Sequence, residues 1–552
     1  MVTITQEQIF EIAFRLLSQT TTQYPQNFLY KLFEGLKKEE DQGSKNIIVS
    51  IIKNISFSAK SRASLCQDTG VPTFNVWLNP ALTLKGDIET AFKEATIRAT
   101  DEVPIRRNVI EPFSFENPGT NTGWGTPFVY YHYLPDPGPM RIRAELKGFG
   151  GEIKSTSDWV FTSTENMVDA VLSYVLNNVI LSRGEGCMPG FIGIGVGGYL
   201  SEAAFNAKNA VFRELSTFQK LKNSKSDRFI DDLEQRIFRS VNKLGIGPMG
   251  CGGTTTTLGV YLEKRGTHTA VAPISVSQQC WASRGAEALV TEDKVRYITP
   301  HVDTKASQDI ELEIEREMSK PSTRGKVYEF DTPLRMEDLS KLRIHDVVYL
   351  SGTICTSRDE SHRRMVEKVK GGEISDIPEE IRANGVIFHC GPVIAPMGDK
   401  WNIISAGPTS SSRFTNDAAF LIERGIIRVA IGKGTMGGAV INAMKGKGVY
   451  LTAVGGCAVV YKQMIREVDV KWLDLGYPEA VWIFKVEKFG PLVVSIDSQG
   501  NSLSRNVMDS VFDNARAVYE EEGLDPKKRY VQYPQTFAGL SLEEVIEKSK
   551  QM

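Results

Sequence analysis

HDVVYLSGTICTSRDESHRRMVEKVK, residues 345–370, carries the pattern that decides the predicted fold. Its first ten residues are rich in β-branched and apolar side chains, as in a buried strand. The charged stretch that follows, 359–370, is typical of a helix. Similar strand-like runs follow at residues 385–393, 428–434 and 448–456. A second helical stretch lies at 436–446, and this alternation predicts an α/β domain.

Outward from this region, the sequence predicts two domains and two connecting pieces. The α/β domain covers residues 335–530. The charged, poorly apolar segment 301–334 is predicted as an inter-domain connection. Residues 1–300 form a larger N-terminal mixed α/β (α+β) domain, and residues 531–552 a surface tail.

Two helices of the N-terminal domain have clear sequence signals. Thr5 and Gln8 match a capping box at the start of the first helix. Apolar residues from Val168 to Val179 recur at helical spacing, and Gly184 ends that helix.

Composition excludes several classes of protein. The 552 residues hold 65 Lys and Arg against 67 Asp and Glu, which leaves no basic field for nucleic acid and no polybasic membrane patch. The first residues do not have the pattern of a secretory signal, and no run approaches the roughly twenty apolar residues that a bilayer span needs. We therefore expect a cytoplasmic protein.

Three glycine-rich segments match G-x-G-x-x-G, and the best placed holds Gly432, Gly434 and Gly437. A dinucleotide site needs an acidic residue about twenty positions later, to bind the ribose. Residues 436–464 contain no Asp or Glu. Tight turns between strand and helix are the favoured interpretation, with a nucleotide-binding oxidoreductase as the rival.

The seven cysteines are widely spaced and odd in number, which argues for free thiols or metal ligands over a disulfide framework. Cys66, Cys187 and Cys280 lie in polar, loop-like surroundings, and Cys251 lies among glycines. The remaining three, Cys355, Cys390 and Cys457, lie in or beside apolar strands, where a thiol packs as a small hydrophobe. Spacing alone does not separate a metal site from buried filler.

Five motifs carry a resemblance to a known family: CQDTG (66–70), GEGCMP (184–189), GPMGCGGTTTT (247–257), SGTICTSRDESH (351–362) and GPTSSSRF (407–414). In this order they resemble the class I, iron–sulfur fumarate hydratases. The likeness runs from about Cys66 to Gly456. It implies a swivelling C-terminal α/β domain, an active site between the two domains, and a homodimer.

The resemblance also implies a 4Fe–4S cluster held by Cys66, Cys187 and Cys280, with Cys251 a minor rival to Cys187. Three thiolates leave one iron open to substrate or water. The substrate would be a small dicarboxylate, fumarate or malate.

By position, the family's substrate-binding residues correspond to Gln67, Arg106, Gly150, His268, Arg358, Arg413 and Lys433. Arginine suits a carboxylate because its planar fork donates two parallel hydrogen bonds. Asp359 and His362 would orient Arg358. Phe149 interrupts the family's glycine run, and Phe414 and Thr415 replace its usual Met and Asp.

Asp68 and Thr409 match the family's pair of proton-transfer groups. Asp68 would protonate the departing hydroxyl, and Thr409 would take the C3 proton with support from Arg413 and Lys433. Dehydratases of L-tartrate and hydratases of mesaconate share this architecture, so substrate identity stays open. A cluster-bearing binding protein without catalysis is a further alternative.

Overall fold

The structure, a computed structural model, describes residues 2–80, 82–133, 138–162, 165–215, 228–291, 294–302, 307–398, 400–532 and 534–551. The elements of the N-terminal unit are, in chain order, β1 (Val2–Thr5), α1 (Gln6–Thr22), α2 (Gln26–Lys38), α3 (Gln42–Ser61), β2 (Thr73–Leu78), β3 (Leu82–Lys85), α4 (Ile88–Glu102), β4 (Phe128–Tyr133), β5 (Met140–Leu146), α5 (Phe149–Glu152), β6 (Thr156–Phe161), α6 (Met167–Ser182), β7 (Gly190–Val196), α7 (Leu200–Ala210), α8 (Arg228–Lys243), β8 (Thr257–Lys264), β9 (Val271–Gln279), β10 (Arg284–Val290), β11 (Val295–Tyr297) and α9 (Ser307–Met318).

The elements of the C-terminal unit, together with the helices that close the chain, are β12 (Val327–Asp331), α10 (Met336–Leu339), β13 (Val347–Thr356), α11 (Asp359–Lys370), α12 (Glu379–Asn384), β14 (Val386–Phe388), β15 (Val393–Met397), β16 (Lys400–Ser405), α13 (Thr415–Glu423), β17 (Val429–Gly432), α14 (Gly438–Met444), β18 (Val449–Ala453), α15 (Ala458–Gln463), β19 (Ile465–Lys471), β20 (Val481–Ile496), α16 (Leu503–Glu521) and α17 (Leu542–Gln551).

Two sheets form the frame of the N-terminal unit. One has the strand order β11-β10-β5-β2-β4 and the other β6-β9-β7-β8. A short turn, residues 280–283, carries the chain from the end of β9 in one sheet to the start of β10 in the other. The cysteine of this turn, Cys280, is therefore held between the two sheets.

Both helix signals of the N-terminal domain are confirmed. Helix α1 begins with a capping box, in which the backbone N–H of Gln8 donates to Thr5 Oγ1 at 3.2 Å and the backbone N–H of Thr5 donates to Gln8 Oε1 at 2.9 Å. Helix α6 spans the predicted apolar run, and Gly184 lies two residues beyond its end with φ +75°.

The C-terminal unit is built on one sheet with the order β12-β13-β14-β17-β18-β20-β19. The pairs from β12 to β18 are parallel, as the strand–helix alternation predicts. The sixteen-residue strand β20 runs antiparallel to β18 and also to β13. Because β20 pairs with both, strands β13, β14, β17, β18 and β20 close into a ring.

The predicted connection and tail are both more ordered than the sequence suggests. Residues 307–318 form α9, and 327–331 form β12, which pairs with β13. Residues 303–306 of the predicted connection lie outside the described part of the chain, as do 533 and 552 of the predicted tail. The tail prediction is wrong for 542–551, because α17 buries Leu542, Val545 and Ile546 and packs against α6.

Among the helices that the structure describes, none has the length and apolar character of a membrane span.

Candidate active site

The loop Leu65–Gly70 between α3 and β2 is fixed from several sides. The N–H of Leu65 donates to Thr21 O at 3.1 Å, and its carbonyl accepts from the buried amide of Asn54 at 2.7 Å. Gly70 has φ +76°, a left-handed conformation that glycine adopts without strain. The two bonds of Leu65 fix the backbone directly before Cys66.

Cys187 and Cys280 enter the same region from two other elements. Cys187 follows α6 and has a left-handed backbone, φ 59°. Cys280 lies in the turn between β9 and β10. The N–H of Trp281, next to Cys280, donates to the carbonyl of Cys187 at 3.4 Å, so the two cysteine segments touch.

The three thiols are buried and interact electrostatically. Burial, together with the charges of Asp68 and Cys187, raises the pKa of Cys66 to about 11, although Arg284 opposes this rise. Burial raises the pKa of Cys280 to about 12, with Cys187 and Cys66 adding in the same direction. The structure thus brings together the three cysteines that the sequence singled out.

Cys251 has different neighbours. Burial, followed by the charge of Asp41, raises the pKa of this thiol to about 12, and the hydroxyl of Ser495 lowers it. None of the three converging thiols acts on it. The structure therefore favours Cys187 over Cys251 as the partner of Cys66 and Cys280.

The donor set fits an iron–sulfur cluster. Within the described residues, no three His, Cys, Asp or Glu side chains are placed to share a single metal ion. A cluster differs because each thiolate binds its own iron. A Cβ built on Gly455 would lie 2.9 Å from Cys187 Sγ, and one built on Gly150 would lie 3.9 Å from it. Two glycines therefore keep the space beside this thiol free of side chains.

Lys433 links the thiols to the C-terminal unit. Its Nζ donates to Cys187 Sγ at 3.4 Å, and the charge of Cys187 is the largest cause that raises the pKa of this lysine. The backbone N–H of Lys433 donates to Thr409 O at 3.1 Å, and its carbonyl accepts from Ser411 N at 3.0 Å. Lys433 and the loop that carries Thr409 are thus held as one piece.

Arg358 and Arg413 meet around one carboxylate. Arg413 Nη2 lies 3.1 Å from Asp359 Oδ2 and donates to Thr409 Oγ1 at 3.3 Å. Arg358 Nη2 lies 3.6 Å from the same Asp359 oxygen, and its Nε lies 3.3 Å from Glu479 Oε1. Burial and the neighbouring Arg358 lower the pKa of Arg413, although Asp359 opposes them. Asp359 orients both guanidinium groups, as the sequence predicts for Arg358.

Asp68 and Gln67 contact different segments of the chain. Asp68 Oδ2 accepts from Phe149 N at 2.8 Å, which places the carboxylate beside Gly150. Gln67 Nε2 donates to Gly407 O at 3.2 Å, and Gly407 N donates to Gln67 Oε1 at 3.1 Å. The Gln67 amide therefore joins the two units, in addition to the substrate contact that the sequence predicts.

Two sequence-family models of fumarate hydratases together match nearly all of the chain. The one described as "Fumarate hydratase (Fumerase)" matches residues 11–289, and the one described as "Fumarase C-terminus" matches residues 299–507. A Geobacillus stearothermophilus protein, provisionally named a class I fumarate hydratase, is 31% identical over 518 residues, which are 91% of this chain and 97% of the relative. The chain belongs to the class I fumarate hydratase family.

This fumarate hydratase family also includes proteins named as tartrate dehydratase subunits. A Methanocaldococcus jannaschii protein, provisionally named an L(+)-tartrate dehydratase alpha subunit, is 34% identical over 50% of this chain and 96% of its own length. The L(+)-tartrate dehydratase beta subunit of Escherichia coli K12 is 40% identical over 31% of this chain and 84% of its own length. Membership of this family identifies the chain as a hydro-lyase. It does not by itself decide between fumarate and tartrate as the substrate.

Of the two remaining substrate-binding residues that the family resemblance implies, His268 lies apart from this group and Arg106 lies at its edge. His268 lies in the exposed turn between β8 and β9, and the nine residues of β9 separate it from Cys280. At about 3.3 Å per residue this is about 30 Å, so the fold does not bring His268 to the thiols of the same chain. Arg106 has an exposed side chain, although its backbone N–H donates to Thr69 Oγ1 at 3.0 Å and so lies beside the Asp68 loop.

Sequence reasoning missed several residues at the site. Asn54 accepts from the N–H groups of Val459 and Val460 at 3.3 and 3.4 Å, and so ties α15 to the Cys66 loop. His389, fully buried, pairs through Nδ1 with Ser411 Oγ at 2.7 Å beneath the Thr409–Arg413 loop. Each of these polar residues lies within an apolar run, which is a signal that it has a buried partner. The partner itself could not be identified, because it is distant in sequence.

Proposed function

We propose that this enzyme catalyses the reversible hydration of fumarate to (S)-malate, with a 4Fe–4S cluster held by Cys66, Cys187 and Cys280. The observation that carries the proposal is the convergence of the three thiols with Lys433. A cluster on three thiolates has one iron without a protein ligand, which supplies Lewis-acid chemistry.

The cationic groups of the C-terminal unit support a dicarboxylate substrate. Arg358 and Arg413 lie around Asp359, and the half-exposed Arg413 presents N–H groups that a carboxylate can accept. The Lys433 amino group lies beside Cys187, and the Lys433 backbone is hydrogen-bonded to Thr409. A doubly negative substrate can therefore be held between the three cysteines and these cations.

Proton transfer is proposed for Asp68 and Thr409. Asp68 is anchored through one oxygen to Phe149 N, and its carboxyl group gives a proton to the departing hydroxyl during dehydration. The Thr409 side chain acts as its alkoxide, which removes the C3 proton and becomes the hydroxyl. Arg413 donates to that oxygen at 3.3 Å, which stabilises the negative charge of the alkoxide before the transfer.

Dehydration of L-tartrate is the second candidate. The tartrate dehydratase beta subunit is 40% identical over 174 residues, a higher identity than the 31% of the Geobacillus stearothermophilus relative. The single-chain relative, which covers both units, is named for fumarate hydration. Mesaconate, a methylated fumarate, is the third candidate substrate.

The test is steady-state kinetics of the anaerobically prepared enzyme on fumarate, (S)-malate, L-tartrate and mesaconate. We expect kcat/KM on fumarate to exceed that on L-tartrate and mesaconate by at least about tenfold, a difference of about 1.4 kcal/mol in transition-state binding. Faster turnover of L-tartrate would assign the enzyme to the second candidate. An equally active protein that contains no iron and sulfide would refute the cluster.

A homodimer is also proposed, and the edge strand β4 is the surface that supports it. Tyr131 and Tyr133 are 41% and 71% exposed and, being two residues apart, lie on one face of β4. Phe113 and Phe115, in the segment that precedes β4, are 90% and 72% exposed. Large exposed aromatic surface of this kind marks a protein–protein interface.

A further inference from the structure

Arg284, the first residue of β10, is fully buried four residues after Cys280. Its Nη1 donates to Ala282 O at 2.7 Å, and its Nε donates to Thr20 O at 3.0 Å. Its remaining nitrogen, Nη2, is buried and has no hydrogen-bond partner among the described residues. A buried N–H group without a partner is costly, so this nitrogen indicates a ligand that completes it.

The two bonds place the guanidinium group between two of the cysteine loops. Thr20 precedes Thr21, whose carbonyl holds the N–H of Leu65 directly before Cys66. Ala282 lies in the turn that begins at Cys280 and is closed by a bond from Ser283 N to Cys280 O at 3.1 Å. Both carbonyls that accept from Arg284 therefore belong to segments that position a thiol.

No ion pair between Arg284 and a carboxylate occurs within the described residues, although the charge is fully buried. Burial lowers the pKa of Arg284, while the charges of Cys66, Cys280 and Asp68 raise it. By contrast, the fully buried Arg143 pairs with Glu145 at 2.6 Å. A buried cation normally has such a partner, and of the negative charges that act on Arg284 those of Cys66 and Cys280 are the largest.

We propose that Arg284 is a positioning residue for the iron–sulfur cluster: its charge offsets the thiolates of Cys66 and Cys280, and Nη2 donates a hydrogen bond to a sulfur of the bound cluster. This inference rests on the cluster of the proposed function. Hydrogen bonds to sulfur and the net charge nearby set the reduction potential of such clusters. Arg284 therefore raises the potential and slows the loss of iron.

The experiment uses the anaerobically reconstituted enzyme and the variants Arg284→Met, Arg284→Lys and Arg141→Met. Arg141 is the matched control, because it is also a buried arginine of the same sheet and stacks on Trp77 at 3.5 Å, away from the thiols. Three quantities are measured: the reduction potential of the cluster, the rate of iron transfer to a ferrous chelator, and thermal unfolding of the iron-free protein.

We expect Arg284→Met to lower the potential and to speed iron release about tenfold or more, the effect of losing a hydrogen bond to a charged group. Arg284→Lys keeps the charge and should recover most of both losses, and Arg141→Met should match the wild type. If the Met variant does not fold, Arg284→Gln replaces it as the uncharged variant.

An uncharged variant with the wild-type potential and iron-release rate would overturn the role of Arg284. So would equal changes in the Arg284 and Arg141 variants, because both would then report only the loss of a buried arginine. A wild-type protein that takes up no iron and sulfide overturns the proposed function itself, whereas a wild-type cluster with an unaffected Arg284→Met variant overturns this inference alone.

Discussion

Cys187 combines an unusual backbone with a charged neighbour. A positive φ is uncommon outside glycine, and strained residues of this kind gather at functional sites. The Cys187 sulfur accepts a hydrogen bond from the Lys433 amino group. It also lies beside Gly455, where a side chain would collide with it. These observations make Cys187 the thiol on which the two units converge.

We expect Cys187→Ser to abolish the cluster and Cys251→Ser to retain it, because only Cys187 interacts with the other two thiols. Serine keeps the size of the side chain but binds iron poorly in place of a thiolate. The measurements are iron and sulfide content and the visible spectrum after anaerobic reconstitution, with circular dichroism of the iron-free variants as the folding control. Equal cluster content in the two variants would contradict the assignment.

At the residue scale, short motifs of the sequence are enough to propose part of the site. CQDTG and TSRDESH each place neighbouring residues at one point, so Cys66, Asp68 and Arg358 can be proposed as site residues without a structure. Arg284 could not be found in this way. Its importance follows from burial and from an unsatisfied nitrogen, and both depend on how β10 packs against α1.

The turn after β18 shows how an element shapes the site. Gly455 lies in this turn, and its carbonyl accepts from Trp281 Nε1 at 2.9 Å. A Cβ at Gly455 would lie 2.7 Å from Lys433 Cδ and 2.9 Å from Cys187 Sγ. The turn therefore contacts the thiol, the lysine and the indole at once, with backbone atoms alone.

Gly455→Ala is expected to reduce cluster content and activity together, since the added methyl group must displace Cys187 or Lys433. Overpacking of this kind costs about 1–3 kcal/mol. Gly266→Ala is the matched control, because a Cβ there meets nothing within 4 Å. The checks are iron content, kcat/KM and the thermal unfolding temperature. A Gly455→Ala enzyme with full cluster content and activity would show that the turn has room for a side chain.

Elements with a clear apolar pattern agree with the predictions. Strands β13, β17 and β18 have continuous apolar runs, and the charged helix α11 still buries Met365, Val366 and Val369 at helical spacing. The charged composition of α9 predicts a connection instead, yet Ile310 and Ile314 are buried. Only packing against the rest of the molecule makes two apolar residues sufficient for a helix.

At the scale of the whole molecule, β4 is an edge strand with an aromatic face. Edge strands that carry exposed apolar residues pair readily with other chains unless they are covered. Tyr130 is accounted for by an edge-to-face contact with Phe205 of α7, with ring centroids 4.9 Å apart. Tyr131 and Tyr133 face the other way and remain exposed, which is why we assign the dimer contact to them.

The double variant Tyr131→Lys, Tyr133→Lys should convert the proposed dimer to a monomer, because two charges would have to be buried in the interface. Leu312→Lys is the control, since Leu312 is 65% exposed on α9, a different surface. Light scattering coupled to size-exclusion chromatography measures the mass of each. A wild-type monomer, or a double variant that stays dimeric, would rule out this interface.

The path of the polypeptide after β20 has a mechanical consequence. Helices α16 and α17 return to the N-terminal unit, where the amide of Asn177 donates to Ala538 O at 3.1 Å and to Leu540 O at 2.9 Å. The cations proposed to bind the substrate are thus joined to the thiols by the covalent chain at one end and by non-covalent packing at the other. A single protease cut between the units would leave this packing as the only link, so the two halves would then separate on dilution as the subunits of a two-chain enzyme do, whereas the units of the intact chain cannot.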